Sequence, residues 1–164
     1  MLFFSHHTPI GIVTIFEDNG YIIKIDLKKY PHDSNYKKTN VISQCCNELD
    51  LYFSGQLTNF TVPIKLKGTK FQILVWQDLQ NINYGQLKTY KDIAISIGNS
   101  KAYRAVGNAC NKNPIPIIIP CHRAVGTNNL TGYAYGADIK KILLNIEINK
   151  GAVANLIAIC FKIS

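Results

Sequence analysis

Asn113-Pro114-Ile115-Pro116-Ile117-Ile118-Ile119-Pro120-Cys121-His122-Arg123 is the stretch from which the rest of the chain is read. An apolar run, too short to cross a bilayer, ends at a proline, and a thiol, an imidazole and a guanidinium follow without a gap. The run reads as a buried, extended segment. Pro116 and Pro120 disfavour helix within it, and Pro120 biases Ile119 toward an extended backbone. Such a segment carries Cys121 to a fixed place at the end of a stiff arm. A reactive cysteine needs that placement and a nearby cation or base to raise its thiolate fraction. A free thiol with a pKa of about 8.5 is only a few per cent ionised at neutral pH. Moving it well below neutrality takes roughly 3–4 kcal/mol of preference for the anion. His122 and Arg123 are the candidate sources. The alternative is a buried cysteine beside a surface His-Arg pair.

Upstream of this arm the pattern is helical. Thr69-Lys70-Phe71-Gln72 forms a capping box, and Phe71, Leu74, Val75, Leu79 and Ile82 make one apolar face, with Trp76 at its border. Asn83-Tyr84-Gly85 is a turn. Thr89 caps a short helix through Ile97, ended by Gly98. Ser100 caps the next, which runs to about Asn111. Two short helices joined by a tight Gly-Asn-Ser turn form a helix-turn-helix. The second, from Lys101 through Ala102, Tyr103, Arg104 and Ala105 to Cys110, is mostly small residues with one arginine, which lets it approach a nucleic acid closely. Downstream of Cys121 lies a loop from Gly126 to Gly136. A last helix follows, with Ile139, Ile142, Leu143 and Ile146 on one face and Lys140, Leu144 and Glu147 along a neighbouring edge.

The first part of the chain reads differently. Residues 2–4, about 10–16 and about 21–27 are rich in Ile, Val and Phe and read as strands, with Asn19-Gly20 as a hairpin signal. Tyr30 to Thr39 is a loop. Ile42, Cys45, Cys46, Leu49, Tyr52 and Phe53 recur at helical spacing, and Gly55 stops that helix. Residues 59–66 are expected to add a strand. This half is a small sheet carrying a helix, with no chemistry of its own. Lys65-Leu66-Lys67-Gly68 reads as a linker, so residues 1–68 and 69–164 are expected to be separate domains.

The bulk numbers bound the function. The 164 residues are 47% hydrophobic, enough for one sizeable domain or two small ones. No run approaches a membrane span and the start lacks a signal peptide, so a soluble, cytoplasmic protein is expected. The five cysteines contain no CxxC pair and Cys45 adjoins Cys46, which argues against a disulfide framework. The four histidines do not pair with cysteines at structural zinc spacing. Net charge is +8; residues 1–68 contribute seven lysines against six acids, and residues 69–164 contribute eleven Lys and Arg against four. A basic half beside a near-neutral one suits either a polyanion partner or a merely soluble basic surface.

The stretch around Cys121 resembles the active-site segment of the O6-alkylguanine-DNA alkyltransferases: Asn-Pro, an apolar run, then Pro-Cys-His-Arg-Val, with Ala124 in place of the usual Val. The resemblance runs from about Thr69 to Glu147, roughly half the chain, and several motifs fall in the right order. It implies an α/β (α+β) protein: a ribonuclease-H-like scaffold domain followed by a mostly helical, winged helix-turn-helix-like domain that binds DNA. It implies direct-reversal repair, in which the alkyl group of O6-alkylguanine, and of O4-alkylthymine, moves irreversibly to Cys121.

Site residues follow from the same resemblance. His122 takes the thiol proton and Glu147 orients it. Tyr90 donates to the departing guanine, Asn113 braces the turn before the arm, and Lys140 assists O6. Arg104, flanked by Lys101, Ala102, Tyr103 and Ala105, enters the minor groove and fills the space left by the flipped nucleotide; Tyr90 and Arg123 complete the DNA-contact set. The carbonyls of Cys121 and Ala124 accept the guanine amino group, the Ala134 N–H approaches O6, and Tyr133 and Tyr135 line the pocket. No cofactor and no metal are implied; some members carry an N-terminal zinc site, but the first 44 residues here hold no cysteine. The partner is double-stranded DNA containing O6-alkylguanine, met by a monomer. Tyr103 and Tyr135 depart from small residues in the family, Asn83 from its proline, and the apolar tail over residues 151–164 from its usual end.

Three other readings remain at this point. One is a non-catalytic alkyltransferase-like lesion binder, which would lack the acceptor cysteine that this chain has. Another is a winged-helix regulator with Cys121 as a sensor thiol. The third is a Cys-His hydrolase, for which the helix-turn-helix would be idle.

Overall fold

The computed structural model describes residues 1–127 and 132–149; Thr131, Cys160 and the apolar tail lie outside the described residues. The described chain divides into two compact units, one formed by Met1–Lys65 together with residues 145–149, the other by Leu66–Leu144.

In the first unit, β1 (Leu2–Thr8), β2 (Gly11–Asp18) and β3 (Tyr21–Asp26) form an antiparallel meander in the order β1-β2-β3. The Asn19-Gly20 signal is a true hairpin turn: both residues have positive φ, 51° and 83°, which suits the right-handed twist of the flanking strands. β1 continues past residue 4 because Ser5 to Thr8 stay in register with Thr14 to Gly11, and the Ser5 and Thr14 hydroxyls meet at 2.9 Å. Helix α1 (Asn40–Phe53) is capped by Thr39, whose side chain accepts from Ile42 N. It packs Ile42, Cys45, Leu49 and Tyr52 against the sheet, all fully buried.

The expected strand over 59–66 is only a single bridge, Ile22 to Ile64. Pro63 has no N–H to give, and the amides of Thr61 and Val62 donate to the Glu48 carboxylate at 2.9 and 3.1 Å instead of to a ladder. These bonds, with those from the Thr61 hydroxyl and Gln44, hold Glu48 below the usual carboxylate range against the opposing effect of burial.

In the second unit, α2 (Lys70–Gln80), α3 (Tyr90–Ser96) and α4 (Tyr103–Asn111) pack on one another. The Thr69–Gln72 capping box is present, and Thr89 and Asp92 make a second one at the start of α3. Two expectations need correction. Leu74 is exposed, and Trp76, expected at the border, is buried in its place, its Nε1 donating to Ala109 O at 2.9 Å. Ser100 does not cap α4. Residues 99–102 close a turn of their own, with Ala102 N donating to Asn99 O, and α4 begins at Tyr103 behind Ala102 without a side-chain cap. Lys101 and Ala102 therefore precede the helix.

Two two-residue strands unforeseen in the sequence, β4 (Lys88–Thr89) and β5 (Ala124–Val125), pair in parallel. They fasten the segment after Cys121 to the residues just before α3. Asp78 strengthens that corner, accepting from Lys88 at 2.8 Å and from Ser96. Helix α5 (Ala137–Ile148) closes the described chain, and the division between units falls within it.

Gly68, expected only as a linker residue, is required by Trp76: an added Cβ would stand 2.7 and 2.8 Å from two of its ring carbons and 2.9 Å from Gln72 Oε1. Gly68→Ala is expected to cost about 1–3 kcal/mol, the usual penalty of overpacking. Trp76 is the chain's single tryptophan, so its emission should report a displaced ring together with a lower unfolding midpoint.

Candidate active site

The arm before Cys121 is buried as expected but not extended. It doubles back: Ile119 N donates to Ile115 O at 3.0 Å, Pro116 bridges Ile119, and Ile117 adopts φ 75°. A β-branched residue at positive φ costs on the order of 1–3 kcal/mol and persists only where its surroundings enforce it. Here Asn113 enforces it. Its Oδ1 accepts from Ile115 N at 3.0 Å, and its Nδ2 lies 2.8 Å from Ile119 O and 3.1 Å from Cys121 Sγ. Three prolines (114, 116 and 120) deprive this segment of donors, so no helix or sheet ladder can form. The asparagine side chain organises the turn in their place.

Cys121 opens a 3-10 turn, Cys121–Arg123, and is 4% exposed. Burial pushes its pKa up to about 11, against the Asn113 hydrogen bond and the Lys140 ammonium, which both favour the thiolate. Of the two candidate sources next to the thiol, neither lowers it below the ordinary range. The proton stays on sulfur at neutral pH, and buried His122 stands next in the chain.

Arg123 is not a cation at the thiol, nor does it face solvent for a phosphate. It is 6% exposed, donates to Ile82 O at 2.6 Å and lies over the Tyr84 ring, 5.7 Å from its centroid. A guanidinium with five donors satisfies a buried carbonyl well, and this one braces the loop after α2.

The other expected residues fall as follows. Tyr90 begins α3, directly after the β4–β5 pair. Its hydroxyl donates to Gly132 O at 2.9 Å, and burial, with Cys110 and Cys121 nearby, raises its pKa to about 12, so the phenol keeps its proton. Buried Lys140 donates to Ala124 O at 2.7 Å, and burial lowers its pKa. The Tyr133 hydroxyl is buried with no hydrogen-bond partner among the described residues. Such an orphan costs roughly 1–3 kcal/mol, which a ligand polar group would recover. Half-buried Tyr135 sets its ring against Tyr133 at 5.8 Å and 60°, and Ala134 between them is exposed.

On α4, Tyr103, Arg104 and Ala105 are exposed, and the Arg104 guanidinium lies 5.7 Å from the Tyr103 ring centroid. Tyr103, Tyr90, Lys91, Lys101, Ser100 and Thr127 line a cavity of about 620 Å³. Aromatic rings beside ammonium groups suit a nucleic-acid strand. In the first unit, Glu147 accepts a hydrogen bond from Tyr52, a partner the sequence did not suggest. Among the described residues, no group of three or more His, Cys, Asp or Glu could hold a metal ion, and no helix is long and apolar enough to cross a membrane.

Comparison with known proteins bears on both units. Residues 1–66 match the ribonuclease-like domain of 6-O-methylguanine DNA methyltransferase, and residues 70–149 match its DNA binding domain. The constitutive methylated-DNA–protein-cysteine methyltransferase of Bacillus subtilis is 41% identical over 150 residues, 85% of this chain and 91% of that protein. The Methanosarcina barkeri methyltransferase of the same name is 53% identical over 107 residues, 65% of this chain and 68% of that one. The crystal structure of Mycobacterium tuberculosis OGT in complex with DNA superposes with a TM-score of 0.86 at 35% identity, covering 96% of this chain and 99% of that one.

Asn113→Ala removes the donor that favours the thiolate. The Cys121 titration should then move further up from about 11, by about one to two pH units, the equivalent of one hydrogen bond to a charged group. Iodoacetamide labelling of the Cys121 peptide at pH 8, followed by mass spectrometry, should slow by about tenfold or more. An unchanged labelling rate would remove Asn113 from the thiol's electrostatics.

Proposed function

The chain belongs to the 6-O-methylguanine DNA methyltransferase family and repairs DNA by moving a methyl group to a cysteine of its own, and we propose that this cysteine is Cys121. The observation that carries the assignment is the seat of its buried sulfur, hydrogen-bonded to Asn113 and followed in the chain by an imidazole.

DNA is the partner. Residues 69–164 bind it and accept the alkyl group, and residues 1–68 are the scaffold. The target atom of O6-alkylguanine lies inside a duplex, so the base must be extruded, at a cost of a few kcal/mol. α4 offers Arg104 beside small Ala105, with Lys101 and Ala102 just before the helix, and Arg104 takes the place of the extruded nucleotide. Tyr103 adds a ring where the family has a small residue. The base then enters the pocket that Ala124, Tyr133, Ala134 and Tyr135 line. The carbonyls of Cys121 and Ala124 accept from its amino group, and the Ala134 N–H points to O6. The Lys140 bond to Ala124 O supports a fixed carbonyl there.

His122, oriented by Glu147, removes the thiol proton. Sulfur attacks the alkyl carbon in line, the carbon–O6 bond breaks, and the electron pair stays on guanine, which leaves with a proton supplied by Tyr90. Burial keeps Tyr90 in its O–H form, so a donor stands ready for the departing guanine, with Lys140 assisting O6. The product is a thioether, a poor leaving group, so each molecule reacts once, as a cytoplasmic monomer that needs neither metal nor other cofactor. O4-alkylthymine presents the same alkyl–oxygen bond. The lesion-binding, regulator and hydrolase readings have no observation in their favour.

Equimolar protein and a duplex with one O6-methylguanine should give one added methyl group on the Cys121 peptide, none with Cys121→Ser, and no second turnover. Lesion binding without added mass would overturn the assignment. Tyr135 narrows the pocket, so O6-benzylguanine as the free base should react slowly, and Tyr135→Gly should react about tenfold faster or more, the gain of roughly 1.4 kcal/mol; equal rates would free Tyr135 of that role.

A further inference from the structure

We infer that Tyr52, on the scaffold side of the chain, is a positioning residue for the transfer, acting through Glu147. The observation is a buried hydrogen bond between residues 95 apart in sequence: Tyr52 Oη donates to Glu147 Oε1 at 2.8 Å. Both residues belong to the unit formed by Met1–Lys65 and residues 145–149.

The donor has little freedom. Tyr52 is fully buried on α1. Its ring meets Phe53 edge-on at 5.4 Å and 75° and lies against Phe60 at 5.5 Å and 37°. Rings on these sides fix the phenol, and the phenol fixes one oxygen of the carboxylate. A neutral donor suits this role, because it gives a buried carboxylate oxygen a hydrogen bond and brings no charge of its own. If the pair served packing alone, two apolar residues of the same volume would be as stable or more so. Keeping a carboxylate in that interior has a purpose if its charge acts on another group. The inference rests on the reading in which Glu147 orients His122, and it extends that reading into the part of the chain where the sequence showed no chemistry.

The test is single-turnover methyl transfer at saturating O6-methylguanine duplex, with DNA affinity measured separately, for the wild type, Tyr52→Phe, Glu147→Gln and the double variant. Tyr52→Phe is expected to lower the saturated rate roughly 5- to 20-fold, part of the value of one hydrogen bond to a charged group, with Kd within about twofold. The double variant should be no slower than Glu147→Gln, because the phenol acts only through that carboxylate. p-Aminophenylalanine at position 52 retains a para donor and should restore most of the rate, and it also serves if Tyr52→Phe folds poorly. Wild-type rate in Tyr52→Phe, independent losses in the double variant, or no rescue by the para donor would each overturn the inference. Wild-type rate in Glu147→Gln would instead overturn the role given to Glu147, and the role of Tyr52 with it.

Discussion

The hydrogen bonds of the Asn113 side chain are the constraint on which the thiol's position depends. One amide group accepts from Ile115 N and donates to both Ile119 O and Cys121 Sγ. Around it the chain has too few backbone donors to build a regular element, and Ile117 sits in a backbone region that a branched side chain avoids. The short turn is therefore held by a side chain, and the same side chain touches the sulfur. Placement and electrostatics are coupled in one residue: what holds the arm also favours the thiolate, against the stronger effect of burial.

That balance suits a protein that reacts once. A thiolate exposed at rest would be consumed by any electrophile, whereas a thiol protonated to about pH 11 waits. Tyr90 and Tyr133 are likewise held as protonated phenols by burial and by the neighbouring thiol. The thiol and the two phenols are thus neutral neighbours at rest, with the Lys140 ammonium acting on the thiol.

The first unit holds buried polar bonds of its own. Its sheet and α1 bring Tyr52 to the carboxylate of Glu147, and Glu48 ties residues 61–62 to the same helix. A helix read in the sequence as a simple apolar stripe carries two of the unit's buried polar bonds on that stripe or beside it.

The sequence by itself determined a good deal. The Asn19-Gly20 hairpin, the Thr69 capping box and the apolar spacing of α1 are local signals, and each fixes an element through backbone geometry or a side chain a few residues away. The Asn-Pro and Pro-Cys-His-Arg motifs named the family, because a reaction needs particular groups in a particular order. The misreadings have one cause. The doubled-back arm, the late start of α4, the buried Arg123, the β4–β5 pair and the Tyr52–Glu147 bond depend on partners distant in sequence, or on donors that another residue has already claimed. Proline content told that the arm is not helical, but it could not tell that Asn113 would fold it into a turn. Composition marked Arg123 as a cation beside a thiol, but only the packed chain shows that Ile82 O takes its guanidinium. Local propensity is written residue by residue. The pKa of the thiol, the partner of each buried charge and the path of the arm are set by burial and by competition for donors, and these exist only once the chain is folded.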